Sequence, residues 1–356
     1  MTQPAVTSAQ ARLARDLEAY AQSRLGQPVR VGALDRIPGG ASRETWRFQL
    51  VLDQDAPGLP AGTHRLILRL DPAASLIETD RRTEFGAIRA FGAVAGVPVP
   101  QTWWLEDDPA ALGAAFLVMG EITGCEANPL KLMQPPYAAH HANIGRQKWM
   151  ILGRIAAADP GALGLTEIMA PVGQGPCWAR ELSHWERVID ADALEPQPIQ
   201  RAAIRWLRAH PPPPPARLAV VHGDYRTGNF LVDPQGEIRG ILDWEMAHLG
   251  DPLEDLAWSL NRVWCFQSDE RRGGLLPREE AIAIWEQASG LRADARALHW
   301  WELFSCVKGQ AIWLSAGREC QQGSATDSIM ALAAWMMTNS QDRASLELLG
   351  RLVRKP

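Results

Sequence analysis

Asp224, Asn229, Asp243 and Glu245 are the side chains best suited to hold a hard cation and to move a proton, and all lie in "VVHGDYRTGNFLVDPQGEIRGILDWE", residues 220–245. Two apolar runs here end in carboxylates. Between them, Asp-Pro-Gln-Gly fits a type I turn, with Pro second and Gly fourth. The flanking strands then run back together and bring Asn229 and Asp243 to one open end, with Asp224 just upstream. Carboxylates where apolar strands stop are costly unless paired or metal-bound. This oxygen set suits Mg2+, which takes one or two carboxylates and leaves positions for phosphate and water. The alternative is a set of capped strand ends. For His222 a packed, hydrogen-bonded core role is preferred to catalysis.

Several elements must position these groups. Leu13, Leu17 and Tyr20 put a helix over 8–25, and alternating Trp46, Phe48, Leu50 and Leu52 predict a strand. "HRLILRL", 64–70, predicts its hairpin partner, with Leu66, Leu68 and Leu70 on one face and Arg65, Ile67 and Arg69 on the other. Residues 79–96 read as helix, and 101–107 and 114–121 as strands. From about 136 the chain is mostly helical, broken by the hairpin and by "HPPPPP" at 210–215, an extended approach to the next strand. The organisation is a sheet-rich lobe over 1–122 and a larger helical lobe over 123–356.

"HGDYRTGN" and "ILDWE" resemble the H-G-D-x-x-x-x-N catalytic loop and I-x-D-x-E metal motif of the aminoglycoside phosphotransferase-like branch of the protein-kinase-like fold. "LGDPLEDLAW" resembles the subgroup of kinase-like domains associated with acyl-CoA dehydrogenases. Independently, Asp251, Pro252 and Glu254 make a good helix start. The resemblance spans about 35–258 and implies an α+β, bilobal fold with a hinge at about 118–123. It implies ATP or GTP between the lobes, Asp224 as the group that accepts or orients the acceptor proton, and Arg226 as a phosphate contact. Asn229 and Asp243 would hold Mg2+, with Glu245 in support. "GGASRE" resembles the family's phosphate turn through Gly39, Gly40 and Ser42, with Arg43 replacing Asn. Arg69 stands where kinases usually carry lysine, as in that subgroup, and Glu84, on the apolar stripe of Ile88, Phe91 and Ala95, is its expected partner. Met119 would lie behind the base, with the Gly120 carbonyl and Ile122 N–H facing it. Ala156 departs from a helix histidine of relatives.

Composition narrows the partners. A net charge of −5 argues against general attraction to nucleic acid or membranes, and five scattered cysteines form no C-x-x-C pair. No signal-like segment opens the chain and no run is long enough to span a membrane, so a cytoplasmic location is expected. Oligomeric state is not legible. The absence of a D-F-G activation segment favours a small hydroxyl acceptor over a protein. Subgroup resemblance leans toward a hydroxyacyl or hydroxyacyl-CoA compound. Eleven of the fifteen tryptophans fall from Trp178 onward; they would line a choline-type cage or an acyl channel, or simply form core. Competing readings are a nucleotide-binding pseudokinase, suggested by Arg69; a choline- or aminoglycoside-type kinase; and a metal-dependent hydrolase built on His222, Asp224, Asp243 and His248.

Overall fold

The alternation in residues 46–52 becomes a strand in the computed structural model of the chain, which describes residues 8–37, 44–71, 80–265, 270–323 and 328–353, with backbone alone at 328–331 and 352–353. Two units separate: Met1–Arg89 with Pro100–Thr123, and Ala90–Val99 with Gly124–Pro356. The second therefore takes in a piece of the 1–122 segment read as the first lobe. Phe91 stacks on Trp244 at 4.7 Å, and Ile241 N–H donates to the Pro98 carbonyl at 2.8 Å.

The first unit opens with α1 (Ser8–Leu25), whose Leu17 and Ala21 are buried and which stops at Gly26, with φ +67° and its N–H on the Gln22 carbonyl. There follow β1 (Val29–Ile37), β2 (Glu44–Leu52), β3 (Gly62–Leu70), α2 (Arg81–Phe91), β4 (Thr102–Glu106) and β5 (Phe116–Gly120). The strands form one antiparallel sheet in the order β1-β2-β3-β5-β4. Leu17 and Ala21 join Phe48, Leu50, Leu66 and Leu68 in the core on one face. The other face is covered as well: β3 is buried from Leu66 to Leu70, so Ile67 and Arg69 are enclosed. α2 ends at Phe91, short of 96, because the N–H groups of Ala93, Val94 and Val97 bond carbonyls three residues back in successive tight turns.

The second unit comprises α3 (Pro129–Leu132), α4 (His141–Ala157), α5 (Cys177–Asp192), α6 (Pro198–Ala209), β6 (Ala219–Val221), β7 (Phe230–Val232), β8 (Ile238–Ile241), β9 (His248–Gly250), α7 (Pro252–Leu260), β10 (Arg271–Arg272), β11 (Leu276–Pro277), α8 (Arg278–Ser289), α9 (Ala295–Gln322) and α10 (Ser328–Val353). Most of α9 is buried around its whole circumference, as a central helix must be. Trp185, Trp258, Trp264, Trp300 and Trp301 are each at most 5% exposed, and Trp258 packs on Trp264 at 5.3 Å. These tryptophans are core, not the wall of an open cage. β7 pairs with β8 across a turn in which Gly236 N–H reaches the Asp233 carbonyl at 2.9 Å. The Asp233 carboxylate fixes that turn by accepting from the N–H groups of Gln235 and Glu237. β6 pairs separately with β9. Among the described residues no helix is long and apolar enough to cross a membrane.

Candidate active site

β6 is wholly buried and delivers His222, Gly223 and Asp224 to its end. Gly223 has φ +86°, and a Cβ there would lie 2.4 Å from the Met246 carbonyl oxygen, so the approach requires glycine. The α7 residue Asp255 accepts from the N–H groups of His222, at 2.6 Å, and Gly223, at 3.0 Å. Lys308 of α9 donates to the Gly223 carbonyl at 2.6 Å. The loop entrance is thus fixed by charged groups on two helices.

His222 is structural. Its Nε2 donates to the Leu242 carbonyl at 2.9 Å and its Nδ1 accepts from Asp224 N–H at 3.2 Å, the pattern of a neutral ring. Burial pushes it down to about 4, outweighing Asp243. It ties the β6 end to the β8 end, where Leu242 N–H donates to the Asn229 carbonyl at 2.8 Å.

Asp224 is held from three sides. Trp258 Nε1 donates to Oδ1 at 2.8 Å, Arg226 Nε lies 3.1 and 3.2 Å from the two oxygens, and Asn229 Nδ2 donates to Oδ2 at 2.6 Å. The last bond, with another to the Asp224 backbone carbonyl at 2.9 Å, occupies the Asn229 amide nitrogen and leaves its oxygen to act as a ligand. Burial raises the Asp224 pKa; Arg226 offsets part of this, and the neighbouring charge of Asp243 adds to it. Two carboxylates that repel one another beside a carboxamide oxygen form a donor set that fits a hard divalent cation. Asp243 itself has φ +67°, a rare conformation for a residue other than glycine, and such strain collects at functional sites. Glu245, two residues on, is 8% exposed.

Arg226 is thus ion-paired with Asp224 at 3.1 Å, and its guanidinium also lies 5.1 Å from the Trp264 ring. The two residues flanking it are anchored. Tyr225 Oη donates to the Lys148 carbonyl at 2.8 Å, and Thr227 Oγ1 donates to the Gly273 carbonyl at 2.9 Å and lies 3.4 Å from Lys148 Nζ.

In the first unit, Arg69 donates to Glu84, at 9% and 0% exposure respectively. Met119 is buried at the β5 end, Gly120 N–H donates to the Gln101 carbonyl at 2.7 Å, and Ile122 is half-buried beyond the strand. Gly39, Gly40, Ser42 and Arg43 lie outside the described residues.

Asp251 caps α7 by accepting from Leu253 N–H at 2.9 Å. Glu254 does not fold back on that cap. It pairs with Lys308 at 3.1 Å and with His248 Nε2 at 3.1 Å. Glu181, His248 and Glu254 have ligand atoms within 4.8 Å of one another, but Arg180, 2.7 Å from Glu181, and Lys308 already supply cations, so the group is an ion network. His248 is engaged there and His222 is locked to backbone, so the four residues of the hydrolase reading do not act as one ligand set.

Trp258, Asp255, Lys308, Lys148 and Thr227 were given no role in the site from the sequence. One signal existed: lysine occurs at only four positions, and Lys148 and Lys308 are 0% and 1% exposed. Such burial demands a polar role.

Known proteins resemble this chain in sequence and in fold. The sequence pattern of the family described as "Phosphotransferase enzyme family" matches residues 33–301. A probable acyl-CoA dehydrogenase (IBR3) of Arabidopsis thaliana is 26% identical over 317 residues, 83% of this chain but 38% of that protein. The chain thus spans well under half the length of that relative. A putative aminoglycoside phosphotransferase from Ralstonia eutropha superposes with a TM-score of 0.73 at 22% identity, covering 95% of this chain and 98% of the other. The aminoglycoside phosphotransferase APH(4)-Ia, in a ternary complex with ADP and hygromycin B, gives 0.56 at 15% identity, covering 92% and 98%. The fold is that of the kinase-like phosphotransferases, α+β with a five-stranded antiparallel sheet and a helical second unit. The chain belongs to the phosphotransferase enzyme family.

Proposed function

We propose that the chain transfers the γ-phosphoryl group of ATP or GTP to a hydroxyl of a small metabolite, with a hydroxyacyl or hydroxyacyl-CoA compound as acceptor. The observation that carries this is Asp224, fixed by Trp258, Arg226 and Asn229 beside Asp243. In this reading Asp224 accepts the proton of the acceptor hydroxyl as its oxygen bonds to the γ-phosphorus. The bond from that phosphorus to the nucleoside diphosphate breaks, and the diphosphate leaves with the electron pair. Arg226 and Trp258 hold the carboxylate in place, so that positioning supplies much of the rate. Mg2+ would be held by Asn229 and Asp243, with Glu245 in support, and when bound supplies charge neutralisation for the triphosphate. The nucleotide would be met by Gly39, Gly40, Ser42 and the Arg69–Glu84 pair, its base by Met119, Gly120 and Ile122. The relative named as an acyl-CoA dehydrogenase supports an acyl acceptor, and the ADP complex of APH(4)-Ia supports a nucleotide. Buried tryptophans count against a choline-type cage.

A thermal-shift screen of nucleotides with Mg2+, then hydroxyacyl-CoAs and amino alcohols with detection of phosphorylated product, tests the proposal. Nucleotide binding without turnover on any acceptor would favour the pseudokinase reading, whose supporting observation is Arg69. Arg69→Lys separates these further. Lysine keeps the charge and the pairing with Glu84 but loses the two-pronged grip on phosphate. KM for ATP is expected to rise roughly tenfold with kcat little changed, the effect of about one charge-assisted hydrogen bond. An unchanged KM would remove Arg69 from the nucleotide site.

A further inference from the structure

Among the described residues, a cation beside the loop 222–229 has no carboxylate partner. Arg272 ends β10, and the turn from it to β11 runs through Gly273 and Gly274, with φ +61° and +76°. That turn is seated on the catalytic loop. Thr227 donates to the Gly273 carbonyl, and a Cβ on Gly273 would lie 2.8 Å from Thr227 Oγ1 and 2.5 Å from Lys148 Nζ. Arg272 Nη1 donates to Cys265 Sγ at 3.4 Å, a weak acceptor. Its Nε is buried with no partner, and among the described residues no carboxylate pairs with it. A buried, unsatisfied guanidinium N–H is costly and normally has an explanation.

Arg272 lines a narrow cleft with Leu260, Asn261, Arg262, Cys306 and Leu348. Its volume of about 20 Å³ admits one small group. Glu302 and Glu347 also border it, but Arg278 binds Glu302 through two bonds of 3.0 and 3.1 Å, and Glu347 is paired with Arg262 and with Arg343. Among the described residues the charge of Arg272 therefore remains unpaired. Arg262, which lines the cleft, begins a turn whose contacts lead to Asp224. Trp264, in the single turn Arg262–Trp264, touches Arg226 and packs on Trp258, which donates to Asp224.

We propose that this cleft is the anion seat of the acceptor, in which Arg272 receives a carboxylate or a single phosphate carried by the molecule whose hydroxyl reaches Asp224. The proposal rests on the kinase reading and adds the charge of the acceptor and the residue that selects it.

Calorimetry in the presence of Mg2+ and AMP-PNP tests it with three probes: hydroxyoctanoate, its CoA thioester, and its uncharged methyl ester. In the wild-type chain an anionic probe is expected to bind more tightly than the ester. The free acid identifies a carboxylate as the ligand, and the thioester a phosphate. Arg272→Gln is expected to weaken that anionic probe by about 10- to 100-fold, the effect of one or two charge-assisted hydrogen bonds, while the ester is unaffected. Arg272→Lys recovers part of the loss. Equal binding of ester and anions by the wild type, or an Arg272→Gln effect shared by both, overturns the anion seat. The wild-type comparison decides even where the Gln variant does not fold. Formation of ADP with the bound acceptor is followed separately. Discriminating binding without ADP would count against the kinase reading and leave the anion seat standing.

Discussion

Asp224→Asn is expected to lower kcat by about 10²- to 10⁴-fold, the range of a lost general base. The side chain keeps its shape, and its carbonyl oxygen still accepts from Trp258 and Arg226, which now bond Oδ1 at 2.8 and 3.1 Å. The new amide faces the Asn229 amide across the present 2.6 Å contact, so Asn229 must turn or shift. The variant should fold and bind nucleotide, as a melting curve and a nucleotide titration would show. A kcat within a factor of a few of wild type would remove Asp224 from the chemistry.

Lys308→Met is expected to have the largest effect on stability. Lys308 is 1% exposed and bonds both Glu254 and the Gly223 carbonyl, so its loss leaves a buried carboxylate short of one cation and frees the entrance to the catalytic loop. Breaking a buried pair by removing one partner costs about 3–5 kcal/mol. For a unit of this size that lowers Tm by roughly 6–20 °C. Differential scanning calorimetry of the whole chain measures it, and a shift under about 3 °C would mean the pair is already solvated. The same network sets a pH dependence. Burial disfavours the charged form of His248, but Glu181 and Glu254 outweigh it and raise the ring from 6.5 to about 9. The folded state therefore binds the proton more tightly than the unfolded state. This contribution is fully present below pH 6.5 and is lost as pH rises through 9. Glu254 has the opposite sign: burial would raise it, yet Lys308 and His248 hold it well below 4.5, so its contribution is lost as the medium becomes strongly acidic.

The stretch 222–245 was legible because the places where its polar side chains emerge are set by local geometry. A four-residue turn fixes the β7–β8 register, and the register fixes where Asn229 and Asp243 emerge. Helix α1 was equally legible, since its apolar spacing ends at a glycine. β1 was not read as a strand, because a bulge between Gly32 and Asp35 and a positive φ at Ala33 break its alternation. β9, three residues long, is too short to show a period, whereas β6, equally short, was read from the apolar run after the proline tract. The supports of Asp224 were hidden for a different reason. Trp258 and Lys308 lie 34 and 85 residues from the groups they bond, and neither spacing nor periodicity reports such tertiary pairings. The pairing of Arg69 with Glu84 was legible from the apolar stripe around Glu84, although alternation in β3 distinguishes two faces of a strand without saying whether the second is covered.

The measurement that bears most directly on the central claim is the affinity of Mg2+ and AMP-PNP together for the wild type and for Asp243→Asn. Asparagine tolerates the left-handed backbone at 243, so the variant removes charge without adding strain. If Asn229 and Asp243 hold the metal under the triphosphate, the Mg2+-dependent part of the affinity should fall at least about tenfold, with AMP-PNP binding in the absence of metal unchanged. Equal Mg2+ dependence in the two proteins would contradict the assignment.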